Sequence, residues 1–258
     1  MFKTAFFNLI YEPLYNALVY LVDIVPAHDM GIAVIILTIF VKLVLFPLSR
    51  QAIRTQAAMR EIAPDVEELK KKYKDKQEEQ ARAIFALYRE RGIRPFSTFF
   101  LIFLQLPILF GLYWVFWKGG LPSVDRSILY SFIPMPGSVS MEFLGFVDMS
   151  ERSVFLAFLT GLTQYLYTRL SMGPRKPAVK EVNPSFSSDM ARSFDLQARY
   201  VLPLLFAGIS YTLAAALPLY WTTSNLFMIG QELYMGRRFK EASKTAGADV
   251  KANSGKSA

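Results

Sequence analysis

The stretch from Gly31 to Leu48 is almost entirely apolar, yet it contains one charged residue, Lys42. A helix that spans a bilayer needs about 20 mainly apolar residues, and 53% of the chain is hydrophobic. Comparable runs lie near 29–48, 96–117, 153–171, 200–216 and 217–235. The sequence therefore predicts an all-α polytopic membrane protein with five transmembrane helices.

The last two predicted spans come from one apolar run between Tyr200 and Gly230, which is too long for one ordinary transmembrane helix. Proline disfavours helical geometry in the residue that precedes it. We therefore predict a break near Leu217 and Pro218, with a shorter helix on each side.

The basic residues are distributed unevenly between the two sides of the predicted spans. Twelve lysines and arginines lie in 49–94, six in 169–199 and six from Arg237 onward, whereas the opposite side carries four. Because positive residues accumulate on the cytoplasmic side, we predict a multi-pass protein of the inner (cytoplasmic) membrane with its N-terminus outside and its C-terminus in the cytoplasm. The net charge of +8 is then explained by the membrane topology, and it gives no indication of DNA binding. Contact with anionic lipid or ribosomal RNA remains a second role for these residues.

The two ends of the chain differ from the apolar core. Residues 1–28 mix tyrosines, Glu12 and Pro13 with apolar residues, which favours an amphipathic helix on the outer interface. A sixth span and removal of this segment remain alternatives, although we identify no clear cleavage site. Residues 241–258 are rich in lysine, serine, alanine and glycine, so we predict a basic, flexible tail.

Segment 49–94 contains two apolar seams with helical spacing. They are Ile62, Val66, Leu69 and Tyr73 in the first half, and Ala81, Ile84 and Tyr88 in the second. Charged residues occupy the other faces, so we predict a cytoplasmic antiparallel helical hairpin. Pro64 suits a first helical turn and marks the start of the first arm. The hairpin is part of one predicted core over 29–240.

Lys42 permits two interpretations. It lies about six residues from the cytoplasmic end of its span, roughly 9 Å along a helix, so its side chain could reach the lipid headgroups. Alternatively, it faces a shared polar cavity, because Thr38 and Ser49 lie at i−4 and i+7 on the same helical face. A lysine in such a cavity would be hydrated rather than exposed to lipid.

The other predicted spans also carry polar residues that favour a shared cavity. These are Gln105 in the second span, Ser153, Thr160, Gln164 and Thr168 in the third, and Thr222 and Asn225 in the fifth. Unsatisfied polar groups are costly in hydrocarbon, so we expect these stripes to face one another or water. For Gln105 and Asn225, hydrogen bonding between helices explains the residue equally well.

The residue inventory gives no indication of an enzyme, a metal site or a cofactor. The chain has no cysteine and one histidine, His28, and after Asp29 no carboxylate occurs within the predicted spans before Glu232. A proton relay or a catalytic dyad would need such partners. The sequence therefore suggests that a negative partner for Lys42 comes from another molecule. Two classes remain: a protein that receives segments of other polypeptides, and a small-solute or ion transporter, for which no internal repeat is evident.

Three motifs resemble the YidC/Oxa1/Alb3 family of membrane protein insertases. They are "VKLVLFPL", "LYRERGIRPFSTFFLIFLQLPILFGLYWVF" and "LPLYWTTSNLFMIGQ", and the resemblance extends over roughly residues 10–240. It implies five helices around a hydrophilic groove that opens to the cytoplasm and to lipid. Lys42 stands where the family usually has arginine, so the charge is kept but the planar five-donor fork is lost. The resemblance also places Gln105, Gln164 and Trp221 in the groove, alongside Lys42, Thr38 and Asn225.

The residues and the resemblance together predict an insertase that is not an enzyme. It would help nascent membrane proteins to move short hydrophilic segments across the lipid bilayer and then release their helices sideways into lipid. The resemblance adds the ribosome, through the basic tail, and the Sec translocon as candidate partners. A solubilising role explains the tail equally well.

Overall fold

The computed structural model describes residues 2–74, 76–94, 97–118, 121–173 and 193–254, and it is mostly helical, as predicted. In chain order the elements are α1 (Phe2–Phe6), α2 (Glu12–Ile24), α3 (Met30–Val44), α4 (Phe46–Glu61), α5 (Ala63–Lys72), α6 (Gln77–Glu90), α7 (Ser97–Lys118), β1 (Glu142–Phe143), β2 (Val147–Asp148), α8 (Val154–Met172), α9 (Leu202–Thr212) and α10 (Ala216–Ser254). Strands β1 and β2 pair antiparallel. Phe7–Tyr11 and Gln197–Val201 are π-helical, and Pro26–His28 is a 3₁₀ turn.

A helix that spans a membrane must be long enough and apolar enough. Among the described residues, no single helix meets both requirements, whereas α3 and α4 meet them together with a 65° bend between them. The Phe103–Trp117 part of α7 is apolar but shorter. The five spans therefore stay a prediction.

The chain divides into two compact units. The first contains residues 1–43 and 108–258, and the second contains residues 44–107. The sequence predicted one core over 29–240 with the hairpin inside it, and the boundaries of that core stay a prediction.

The first unit is built around an apolar core to which α2 contributes a whole face. Tyr15, Leu18 and Val22 of α2 are fully buried, and they belong to the same cluster as Met30 and Ala33 of α3. The cluster continues into the second half of α7 and the first turns of α8 and α10. The predicted N-terminal amphipathic helix is thus present, and its apolar face packs on this core. Its position at the outer interface stays a prediction.

Asp29 fixes both the start of α3 and the β1–β2 hairpin. Its Oδ1 accepts hydrogen bonds from the backbone N–H groups of Gly31 (2.7 Å) and Ile32 (3.1 Å), which otherwise have no helical partner. Its Oδ2 accepts from the N–H of Leu144 at 2.8 Å. Gly31 is required at this point, because a Cβ there would overlap the ring of Phe143.

Two helix breaks fall at positions that differ from the prediction. The first span was expected to continue to Leu48, but α3 ends at Val44 and α4 begins at Phe46, with Pro47 in its first turn. The fourth and fifth helices were expected to divide near Leu217 and Pro218. They divide at 213–215 instead, because proline is tolerated within the first turn, where its missing N–H costs no helical hydrogen bond.

The second unit contains the predicted helical hairpin, formed by α5 and α6. Gln80 Nε2 donates to the carbonyl of Lys70 at 3.0 Å, and Arg91 Nη2 lies 3.4 Å from Asp65 Oδ2, so the two arms run antiparallel. Pro64 lies in the first turn of α5, as expected. One predicted seam position is wrong, since Ala81 is exposed. Gln80, the preceding residue, contacts α5 instead, and adjacent helical positions differ by about 100°.

The segment 241–258, predicted to be a flexible tail, is helical as far as Ser254. Its alanines and lysines are good helix formers. Residues 255–258 and most of the predicted loop between the third and fourth spans lie outside the described residues.

Candidate functional site

Lys42 and Thr38 both lie on the buried side of α3. Thr38 is 1% exposed and its Oγ1 donates to the carbonyl of Val34 at 2.6 Å, while Lys42, one turn later, is 7% exposed. Because α3 ends at Val44, Lys42 occupies its last turn, where a cation interacts favourably with the helix dipole. Ser49 lies on α4, beyond the break at Leu45, so its predicted alignment with Lys42 stays a prediction.

A row of buried polar side chains joins α8 to α10. We call it the α8–α10 polar seam, and it consists of Thr160, Thr163, Gln164, Thr222 and Asn225. Asn225 Nδ2 donates to Thr163 Oγ1 at 3.3 Å, and Gln164 Nε2 donates to Thr168 Oγ1 at 3.3 Å. The polar stripes predicted on the third and fifth spans therefore do face each other.

Thr160 is the centre of the hydrogen bonding within this seam. Its Oγ1 lies 2.9 Å from the carbonyl oxygen of Leu156, 3.1 Å from that of Pro218 and 3.1 Å from Thr222 Oγ1. A hydroxyl carries one proton and two acceptor lone pairs. Thr160 therefore donates to one of the two carbonyls, and Thr222 donates to Thr160. The seam needs no outside partner to satisfy this pair.

On the neighbouring side, α8 and α9 approach closely at Gly161. A Cβ added at Gly161 would lie 2.8 Å from the Cβ of Ala207 and 3.3 Å from the carbonyl oxygen of Pro203. Small residues allow helices to pack at short range in membranes. This close contact fixes α8 against α9 beside the α8–α10 polar seam.

Trp221 immediately precedes Thr222 on α10 but contacts a different helix. It is partly buried, and its ring meets that of Phe206 on α9 edge-to-face, with 4.6 Å between the ring centroids. This geometry is typical of a stabilising aromatic pair. The packing of Trp221 thus supports the α9–α10 contact, and its place in a groove stays a prediction.

Gln105 belongs to α7 and is partly buried. It lies in the second compact unit, whereas the α8–α10 polar seam lies in the first. The hydrogen bonds of the seam that pass between helices join α8 to α10. The membership of Gln105 and Lys42 in one groove with that seam therefore stays a prediction.

Three structurally important polar residues were not identified from the sequence. Thr163 lies three residues after Thr160 on the stripe already recognised, so helical spacing could have revealed it. Arg199 is buried, binds the carboxylate of Asp195 at 2.9 Å and donates to the carbonyl of Gly173 at 2.8 Å. The i, i+4 spacing of the acid and the arginine was a signal for this pair.

Asn16 is the third of these residues, and it holds the loop between α7 and α8. Its Nδ2 donates to the carbonyls of Glu12 (2.9 Å) and Ile128 (2.8 Å), and its Oδ1 accepts from the N–H of Tyr130 at 2.7 Å. Asn16 is 1% exposed, so losing these contacts would leave buried amide groups unsatisfied. Nothing local in the sequence marks this long-range role.

The same loop contains a carboxyl group that stays charged over the physiological pH range. Hydrogen bonds from the hydroxyl and the N–H of Ser127 lower the pKa of Asp125 from its ordinary value. The Asp125 N–H also donates to Tyr15 Oη at 2.8 Å.

Among the described residues, no group of three or more His, Asp or Glu side chains could hold a metal ion.

Comparisons with known proteins agree on one family. Residues 21–243 match the family model described as "60Kd inner membrane protein". The chain is 30% identical over 208 residues to a protein of Clostridium tetani named "Membrane protein insertase YidC", covering 81% of this chain and 82% of that one. A protein of the same name from Oceanobacillus iheyensis is 29% identical over 80% of this chain and 74% of its own length. Another from Methylobacillus flagellatus is 29% identical, but this chain covers only 34% of its length.

Proposed function

The chain belongs to the YidC/Oxa1/Alb3 family of membrane protein insertases, and we propose that it acts through a hydrophilic groove of which the α8–α10 polar seam is one wall. It is a membrane protein, and its function is to insert other membrane proteins. The groove, the residues that line it and the steps of insertion are the parts that we infer.

The observation that carries this proposal is the continuity of the α8–α10 polar seam. Thr160 and Thr222 meet at 3.1 Å, and Asn225 meets Thr163 at 3.3 Å, so polar side chains occur at successive turns of two packed helices. If the two helices only had to pack against each other, apolar side chains at these positions would serve equally well. Moving a polar peptide segment through hydrocarbon costs several kcal/mol for each unsatisfied group. A wall of polar side chains lowers that cost by shortening the purely apolar path.

Lys42 supplies the second part of the mechanism. A buried cation attracts acidic residues of an incoming polypeptide, and opposite charges 4 Å apart interact by about 4 kcal/mol at an effective dielectric constant of ~20. The attraction would hold an acidic tail at the groove while its hydrophobic segment moves sideways into lipid. No covalent step is involved in this mechanism, which agrees with a family of insertases rather than enzymes.

The orientation of the protein in the membrane follows from the distribution of its basic residues. The excess of lysine and arginine in 49–94, in 169–199 and after Arg237 supports five spans with the hairpin and the C-terminus in the cytoplasm. The substrates are nascent membrane proteins. Contact with the ribosome through the basic C-terminal segment, and cooperation with the Sec translocon, extend this proposal.

Cysteine labelling on α8 tests whether the α8–α10 polar seam contacts water. The chain has no cysteine, so Gln164→Cys and Leu162→Cys each provide one thiol at nearly the same depth. Leu162 is 40% exposed on the surface of α8, where lipid would cover it, whereas Gln164 belongs to the seam. A thiol must ionise in order to react with a maleimide. We therefore expect a charged, membrane-impermeant maleimide to label position 164 and not position 162.

The same labelling experiment distinguishes a water-accessible groove from a seam that only holds the two helices together. Equal protection of both cysteines in active protein would refute a water-accessible wall. Labelling at 164 that falls when an insertion substrate is stalled on the protein would connect the wall to transport. A small-solute transporter would instead lose the labelling on addition of solute alone.

A further inference from the structure

A second polar site lies within the unit formed by residues 44–107. A cavity of 240 Å³ is lined by three arginines, Arg54, Arg91 and Arg94, together with Gln51 and Thr55. No carboxylate is among the described residues that line it. We call this site the arginine cavity. It contains none of the residues assigned to the groove.

One helical face and one tight turn build the arginine cavity. Gln51, Arg54 and Thr55 follow each other at i, i+3 and i+4 on α4, so their side chains share a face. The opposite wall comes from the end of α6, where Gly92 has a φ of 64° and the N–H of Ile93 donates to the carbonyl of Tyr88 at 2.8 Å.

That turn is a Schellman motif, in which glycine tolerates the left-handed conformation. Ile93 is buried and anchors the turn. Arg91 and Arg94 therefore flank a fixed point in the chain, and the cavity does not depend on the conformation of a long loop.

The charges of the arginine cavity favour an anion. Arg91 has a partner in Asp65, but the two atoms are 3.4 Å apart and both side chains are about half exposed, so this ion pair contributes little. Three guanidinium groups around one concavity give it a positive potential, which attracts anions. Their planar forks match the oxygens of a phosphate group with paired hydrogen bonds. The volume is far above the ~10–15 Å³ that one water molecule needs.

The position of the arginine cavity in the chain identifies the source of the phosphate. Gln51 follows the first residue of α4, Phe46, by five positions, and Arg94 precedes the first residue of α7, Ser97, by three. Both flanking segments, α3 and α7, are strongly apolar. In the predicted five-span topology, the arginine cavity thus lies near the cytoplasmic ends of the first two spans, at the level of the lipid headgroups. We infer that it binds the phosphate of an anionic phospholipid.

This lipid site goes beyond the insertase function and does not depend on the groove. The full-length protein, purified in neutral detergent micelles, would be titrated with phosphatidylglycerol or phosphatidylcholine and analysed by native mass spectrometry. We expect phosphatidylglycerol to bind more tightly, and Arg54→Gln and Arg94→Gln each to weaken it by about fivefold. Arg54→Lys should weaken it less, since charge is kept and the fork is lost.

Arg82→Gln is the matched control. Arg82 is also an arginine of this unit, but it is highly exposed and pairs with Glu78, so its loss should leave lipid binding unchanged. Equal weakening by Arg82→Gln would show a general charge effect and overturn the site. Helix content, measured by circular dichroism, checks that each variant is folded.

Competition experiments on the unmodified protein distinguish the possible sources of the phosphate, and they need no variant. Phosphatidylglycerol that stays bound in the presence of inorganic phosphate or a short single-stranded RNA supports the lipid site. Displacement by inorganic phosphate at a similar concentration would assign the arginine cavity to a free phosphate, and displacement by RNA would assign it to nucleic acid. Equal binding of the two phospholipids would also overturn the inference.

Discussion

Replacing Lys42 tests whether its charge takes part in insertion. We compare Lys42→Ala, Lys42→Glu and Lys42→Arg on a reporter with a short N-terminal tail that carries zero, one or two acidic residues. If Lys42 only reaches toward the headgroups, its removal is harmless. If it attracts the tail, the variants should differ, and the difference should grow with the number of acidic residues.

The expected size of the effect follows from the surroundings of Lys42. Opposite unit charges 4 Å apart attract by about 1 kcal/mol in water and about 4 kcal/mol at an effective dielectric constant of ~20. Lys42 is 7% exposed, which favours the upper part of that range. Lys42→Ala should therefore reduce capture of a singly acidic tail by between about fivefold and about a thousandfold. Lys42→Glu should reduce it further, because attraction becomes repulsion.

Protease protection of the reporter tail measures insertion, in cells depleted of any paralogue. Removing a cation from the last turn of α3 costs about 0.3–1 kcal/mol of helix stability, so the amount of each variant in the membrane must be compared. The neutral tail is the matched control, and Lys42→Arg should insert all three reporters. Full insertion of the acidic tails by both Lys42→Ala and Lys42→Glu would refute the electrostatic step.

Three further predictions concern the remaining parts of the chain. For topology, single cysteines at Ser138 and Ser187 should be labelled from opposite sides of sealed vesicles, and labelling from the same side would contradict five spans. For the hairpin, Leu69→Asn should increase proteolysis within 49–94, whereas Ala81→Asn, at an exposed position, should not; equal resistance would argue against the apolar seam. For the C-terminal segment, deletion of 243–258 should weaken co-sedimentation with ribosomes and reduce its salt dependence, and unchanged binding would leave a solubilising role.

The helices could be predicted where local chemistry determines them. The start of α5 follows from Pro64, and the start of α8 follows from Ser153, whose Oγ accepts from the N–H of Leu156 at 3.3 Å. The length of the apolar runs located α3 and α7. The break at Leu45 was missed because the apolar run continues through it, and composition alone does not distinguish a straight helix from a bent one.

The site could be predicted only in part, because a helical stripe indicates a face but not its partner. The stripes of α8 and α10 were recognised, and the structure brings Thr160 and Thr222 together. Trp221 lies within a motif that resembles the family, but its ring packs on Phe206. Asn16 was missed because two of its three partners, Ile128 and Tyr130, are more than 110 residues away in the chain.

The hydroxyl groups around the proposed groove suggest how it could conduct polypeptides without holding them. Thr38, Thr160 and Thr163 each approach the carbonyl of the residue four positions earlier, at 2.6, 2.9 and 2.8 Å. Thr38 and Thr163 are therefore satisfied by their own helices when no substrate is present, and Thr160 is satisfied by the carbonyl of Leu156 or of Pro218. A passing segment or a water molecule can use the remaining lone pairs, and its departure leaves no buried donor unsatisfied. Such a wall lowers the cost of a polar segment without binding it tightly, so Lys42 can provide attraction while the threonines permit release.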